Sequence, residues 1–246
     1  MDTSCGSAGP AAEFDAYTAD YEAAMANPLS RCLGGDPTIS LEFKAHWLLR
    51  QIRRCAHCTA LGSRMGLLDY GCGRGTMLHR LRRQGFPGSL VGCDVSPQML
   101  GQATHRSTTS GAATLALMPD ARAPFDDRQF DFVVASSVLH HVAVAQRQAT
   151  YTDMARLLKR GGHLCIFEHN PLNPLTRWVV RRAPMDKNAV LLHPKEVCDG
   201  LRRAGITRLR VDYLMFFPPR WRFCWSWESL LRRLSIGAQY VVSGCR

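Results

Sequence analysis

Met65-Gly66-Leu67-Leu68-Asp69-Tyr70-Gly71-Cys72-Gly73-Arg74-Gly75-Thr76 is the stretch that decides the fold. Gly66 to Tyr70 is a short apolar run with no helical period, and it reads as a buried strand. Glycines then stand at every second position, and Met77 to Leu81 reads as the helix that follows. Glycine lets the backbone turn tightly and lets a ligand approach where a Cβ would block it. The helix points its unpaired N–H groups into the crevice. Strand, glycine turn and helix together read as a nucleotide-type cofactor site.

Two details separate the ligands that use such a turn. A dinucleotide fingerprint is G-x-G-x-x-G, and its third glycine is replaced here by Thr76. Asp69, two residues before the first glycine, would repel a pyrophosphate but suits a ligand with an ammonium group. S-adenosylmethionine carries an ammonium and no phosphate. Leu90 to Asp94 is a second strand ending in an acid, placed to accept hydrogen bonds from a ribose diol.

On these residues the chain resembles the class I S-adenosylmethionine-dependent methyltransferases of the bacterial small-molecule type. LLDYGCGRGT, from Leu67, is similar to that family's first motif, and VGCDVSPQML, from Val91, to its second. The resemblance covers roughly residues 14–242. It implies a Rossmann-like three-layer α/β sandwich: a seven-stranded, mostly parallel sheet with an antiparallel last strand and an N-terminal helical lid. It also implies cofactor contacts at Tyr21, Asp69, Gly71, Cys72, Gly73, Asp94, Val95, Met99, Asp120, Ala121 and Ser136.

Composition agrees with one large α/β domain. The chain has 246 residues, an ordinary apolar fraction, and no run of 18 apolar residues. The N-terminus lacks a basic region followed by an apolar core, so no secretory signal is expected. Several of the ten cysteines, Cys72, Cys93 and Cys165 among them, fall in core strands or the glycine turn, which fits a reduced, cytoplasmic setting. Cys55-Ala56-His57-Cys58 has metal-like spacing but no second pair, so no metal is assigned. The net charge of +11 resides in residues 156–246, where 17 basic side chains face 6 acidic ones. That asymmetry suits an anionic substrate, a nucleic acid, an acidic membrane surface touched peripherally, or simply a solvated basic face.

Along the chain, residues 1–12 read as a disordered tail and 13–60 as the helical lid. Phe14, Tyr17, Tyr21 and Met25 fall at helical spacing, similar to an FD-x-x-A-x-x-Y helix that covers the cofactor, with Tyr17 directed to substrate. A second amphipathic helix runs from Ile39 to Cys55. The core then occupies 61–246. Ser96 caps a helix that opens on Pro97. Ala113 to Met118 is a third strand, and Asp120 beyond it falls where the family contacts the adenine amino group. Phe130 to Ser136 is the fourth strand, leading into Val138-Leu139-His140-His141, which resembles the family's V-L-H-H element. Ala149 to Lys159 reads as a helix stopped by Gly161-Gly162, and His163 to Glu168 as a fifth strand. Glu168-His169-Asn170-Pro171-Leu172-Asn173-Pro174 then opens an insertion to Leu192, and this loop is expected to wall the substrate pocket. A helix from His193 to Ala204 and strands at Ile206–Met215 and Ala238–Val242 follow. The second of these strands is antiparallel by the resemblance. Between them, residues 216–235 hold Trp221 and five neighbouring aromatics interleaved with arginines.

The expected activity is methyl transfer by in-line displacement to a hydroxyl or carboxyl oxygen of a small molecule, anionic or aromatic. His141 and His169 are the candidate bases; Arg177 and Trp221 are candidate substrate contacts, and Arg181 and Arg182 share that role with Arg177. The protein is expected as a monomer or homodimer. Other classes are an RNA methyltransferase, a partner subunit that binds cofactor without catalysis, and a nicotinamide dehydrogenase. No RNA-binding module accompanies the core, and no Asn/Asp/Ser-Pro-Pro-aromatic element of base-amino methylation follows the fourth strand.

Overall fold

The computed structural model describes Asp15 and residues 39–54, 60–110, 113–119, 122–218 and 220–246. The tail at 1–12, Tyr17, Tyr21, Asp120, Ala121 and the Cys55–Cys58 pair lie outside the described residues.

Helix α1 (Ile39–Arg54) leads to β1 (Gly66–Tyr70), α2 (Thr76–Arg83), β2 (Ser89–Asp94), α3 (Pro97–Ser110) and β3 (Thr114–Leu117). Then come β4 (Phe130–Ser136), α4 (Arg147–Leu157), β5 (Leu158–His169), α5 (Pro174–Val180) and α6 (Pro194–Arg203). The chain finishes with β6 (Thr207–Leu214), α7 (Glu228–Leu231) and β7 (Gln239–Cys245). The strands form a seven-stranded sheet of order β3-β2-β1-β4-β5-β7-β6. β7 alone among them is antiparallel, wedged between β5 and β6.

Every residue of β1 is buried, because the sheet is covered on both faces and each side chain meets a helix layer. One face packs Phe43, Leu48 and Ile52 of α1 and Met77 and Leu81 of α2 against Leu67, Phe132 and Phe167. The other packs Tyr151 and Met154 of α4 and Val197 and Leu201 of α6 against Leu68, Val133 and Ile166. The chain leaves β1 toward β2 on one side and returns as β4 on the other, so a crevice opens at the carboxyl ends of β1 and β4.

Most sequence-derived boundaries hold within two residues, and the exception is instructive. The expected helix stop at Gly161-Gly162 lies inside β5. α4 already ends at Leu157, and Leu158 pairs with Phe130. The two glycines accommodate a register shift between Phe130 and Phe132, with Gly161 at φ 76° donating to Arg246 O. The glycine pair is therefore a bulge, not a cap. No described helix is long and apolar enough to cross a membrane. Cys72, Cys93, Cys165, Cys198, Cys224 and Cys245 are free thiols.

Candidate functional site

The turn after β1 is built by backbone. Gly71, Gly73 and Gly75 take φ of 74°, 50° and 68°, a region that favours glycine. Gly71 and Cys72 N–H donate to Cys93 O at 2.8 and 2.9 Å, which ties the turn to the end of β2. Gly73 N–H donates to Asp94 Oδ2 at 2.7 Å, and Ser96 N–H to Asp94 Oδ1 at 3.0 Å. Ser96 Oγ accepts from Met99 N–H at 3.1 Å, so the predicted cap is present. Its hydroxyl also donates to Asp15, which places that residue at the end of β2. A Cβ on Gly71 would lie 2.6 Å from Val138 Cγ2, whereas one on Gly73 would meet nothing within 4 Å. The turn is thus closed toward the β4 loop and open toward the crevice.

Two buried acids, Asp69 and Asp94, lie close enough beside this turn to interact. Burial, with the neighbouring charge of Asp94, pushes the Asp69 carboxyl up to about 7, against the opposing pull of Lys44. Burial also raises Asp94, partly offset by its backbone donors Ser96, Gly73 and Val95. A cationic group beside them would favour the ionised form of both acids.

The carboxyl ends of β4 and β5 carry a different set of groups, held by side chains. Lys44 reaches from α1, almost fully buried, to donate to Ser136 Oγ at 3.0 Å and Ser137 Oγ at 3.2 Å. Burial lowers its pKa to about 8, opposed by Glu168 and Asp69. Ser137, at φ 59°, turns the chain sharply out of β4. Glu168 Oε1 then accepts from Val138 and Leu139 N–H at 3.1 and 2.8 Å, and its Oε2 lies 2.5 Å from His140 Nδ1. Burial alone would lower His140, but Glu168 and then Asp186 carry it up to about 9. Asp186 Oδ1 lies 3.5 Å from Nε2 of both His140 and His141. The rings of His140 and His141 are 4.1 Å apart, those of His140 and His169 5.1 Å. Burial and then the charge on His140 bring both His141 and His169 down to about 4. Two neutral imidazoles therefore flank one charged imidazole at neutral pH.

The comparisons with known proteins address the same residues. Residues 68–166 match the methyltransferase domain family. The chain is 38% identical over 98 residues, 40% of its length and 35% of the relative's, to malonyl-[acyl-carrier protein] O-methyltransferase of Herminiimonas arsenicoxydans. It is 27% identical to nocamycin O-methyltransferase of Saccharothrix syringae over 68% of this chain and 69% of that one. A SAM-dependent methyltransferase of Thermotoga maritima superposes with a TM-score of 0.63 at 19% identity, covering 96% of this chain and 99% of that one. Residues 68–166 are thus similar to a methyltransferase domain, and the fold around them is that of solved SAM-dependent methyltransferases. The chain spans less than half the length of several curated relatives it matches.

The cofactor of class I methyltransferases is S-adenosylmethionine, and the groups at β1 and β2 suit it. Asp69 suits the ammonium, Asp94 a diol, and Gly73 leaves open space between them. Val95 and Met99 follow Asp94 directly, and Ser136 ends β4. His141 and His169 come together through His140. Arg177 does not join them: it is exposed on α5, Arg181 and Arg182 are exposed just beyond that helix, and Arg182 stacks over Trp178 at 4.3 Å. Trp221 is exposed and stacks on Phe223. Its neighbour Trp225 is buried edge-on against Phe43, so the aromatic segment is partly a structural clamp on α1.

Sequence reasoning missed Lys44, Glu168 and Asp186. Lys44 reads as an ordinary helix cation, and nothing in its surroundings signals burial. Asp186 lies in the insertion, with no motif around it. Glu168 stands beside His169, but its contact with His140 depends on β4 pairing with β5.

Proposed function

We propose that the chain transfers a methyl group from S-adenosylmethionine to an oxygen of a small-molecule acceptor. The observation that carries this reading is the placement of His141 and His169 at the carboxyl ends of β4 and β5, on the same sheet edge as the acid-lined glycine turn. The O-methyltransferases among its relatives support it. The donor supplies a methyl already activated on sulfur, so the C–O bond forms as the C–S bond breaks and the electron pair stays on sulfur. The protein's part is to hold donor and acceptor in line, which can lower the barrier by roughly 7–11 kcal/mol. Asp69 and Asp94 fix one end of the donor, with Tyr21, Asp120 and Ala121 assigned to it by resemblance. Lys44 braces Ser136 and Ser137 where β4 meets the acceptor side. His169, or His141 beside it, takes the proton of an acceptor hydroxyl. A carboxylate acceptor needs no base, and Tyr17, Arg177 and Trp221 remain its proposed contacts.

The deciding experiment incubates the protein with methyl-labelled S-adenosylmethionine and matched panels of hydroxy, carboxylic and amino acceptors. Label on a hydroxyl, lost in Asp69→Ala and Asp94→Ala and strongly reduced in His169→Ala, is the expected result. Label retained in both His141→Ala and His169→Ala would remove the base assignment. Label confined to amines would overturn oxygen transfer.

A further inference from the structure

We propose that His140, His141 and Asp186 form a binding site for a divalent first-row transition ion of the zinc kind. Their three ligand atoms lie within 4.8 Å of one another. Both imidazole Nε2 atoms stand 3.5 Å from the same oxygen, Asp186 Oδ1. That is longer than a good N–H···O bond of about 2.9–3.0 Å. It matches the edge of a tetrahedron around an ion with bonds of about 2.0–2.1 Å, roughly 3.4 Å.

The support around the ligands points the same way. Metal-binding histidines commonly donate their second ring N–H to a carboxylate, which fixes the tautomer and turns the other nitrogen toward the ion. His140 Nδ1 has that partner in Glu168 at 2.5 Å, and Glu168 is itself fixed by two backbone N–H groups. A one-turn 3-10 helix, Leu139–His141, places two consecutive histidines side by side, and another, Pro184–Asp186, delivers the acid. Val190 N–H donates to His140 O at 2.8 Å, which seats the insertion against the histidines. Two nitrogens and one oxygen favour zinc, cobalt or nickel over magnesium or calcium, which prefer oxygen alone. Three protein ligands leave a position for one more oxygen, as catalytic rather than structural sites do.

The ion's use in catalysis rests on the methyl-transfer reading, while its binding does not. In the loaded site His140 and His141 are ligands, the proton that His140 Nε2 carries in the empty site is released as the ion binds, the acceptor hydroxyl takes the open position, and its proton goes to His169.

The test uses the full chain carrying Cys55→Ser and Cys58→Ser, which removes the other metal-like spacing, stripped with a chelator. Titration with Co2+ is followed by its visible d–d bands, and demethylated-cofactor binding is measured in parallel by calorimetry. One Co2+ per chain, displaced by Zn2+ but not Mg2+, is expected. Asp186→Asn and His141→Ala are expected to weaken it at least about 100-fold, and Glu168→Gln about 10–100-fold, with cofactor binding retained as the sign of a folded chain. Absence of a saturable d–d band, or an affinity unchanged in both ligand variants, overturns the site. Metal binding without cofactor binding would leave the site standing and remove the methyltransferase reading instead.

Discussion

The two ends of the crevice are built by different means. At β1 and β2 the site is mostly backbone: three glycines in the left-handed region, two N–H groups on Cys93 O, and two on Asp94. Its parts fall within residues 69–99, in two contiguous motifs. At β4 and β5 the site is side chains gathered from afar. Lys44 meets Ser136 across 92 positions, His140 meets Glu168 across 28, and Asp186 arrives from an insertion. A backbone cradle recognises what the donor always presents, whereas converging side chains can be exchanged to suit an acceptor.

The most severe way to break that division is Glu168→Gln. Removing one partner of a buried ion pair costs about 3–5 kcal/mol. His140 and the Val138–Leu139 N–H groups depend on this carboxylate. Denaturant unfolding is expected to show that loss, while the folded variant still binds the demethylated cofactor. A parallel loss of cofactor binding would mean that the two ends are one unit.

Gly71→Ala probes the seam between them. The new Cβ would press on Val138 at 2.6 Å with the backbone held at φ 74°. Overpacking costs about 1–3 kcal/mol, and the left-handed backbone adds about 1–2 kcal/mol. Cofactor affinity and midpoint of unfolding are both expected to fall, and the shift of Val138 is expected to lower turnover through the His140 turn.

Asp94→Asn keeps the shape but removes the charge that Gly73 and Ser96 N–H groups meet. A weakening of cofactor binding by about 10- to 30-fold, near 2 kcal/mol, is expected for a charge-assisted hydrogen bond. Calorimetry checks it, and the unfolding midpoint is expected to fall as well, because the amide NH2 of the new side chain faces one of those backbone N–H groups.

A pH dependence centred on Asp69 is expected as well. Its folded pKa lies near 7, above its ordinary value, so the empty fold loses stability as pH rises from about 4 through about 7. A bound ammonium favours the ionised acid, so cofactor affinity is expected to rise by at most about tenfold per pH unit below that pKa and level off above it. Asp94 and Lys44 are the charged neighbours that set this balance. Asp69→Asn is expected to flatten the profile, and a slope that persists in it would assign the titration to another group.

The same contrast explains what could be read in advance. Gly71 to Thr76, Ser96-Pro97 and Phe130 to Ser136 declare themselves because turn, cap and buried strand each need particular residue types in a short span. The Gly161-Gly162 pair misleads because a helix stop and a strand bulge make the same demand for glycine. Arg177 and Trp221 were candidates on residue type alone, and the fold leaves both exposed.

By itself the sequence determined the sheet, the crevice and the two acids beside the glycine turn, because these rest on local backbone conformation and on hydrophobic period. Only the tertiary structure decided that Lys44 is buried against Ser136 and that His140, His141, Glu168 and Asp186 are one cluster. The physical reason is that no local rule specifies those contacts: they exist because β4 pairs with β5, α1 covers one face, and the insertion closes on the histidine turn.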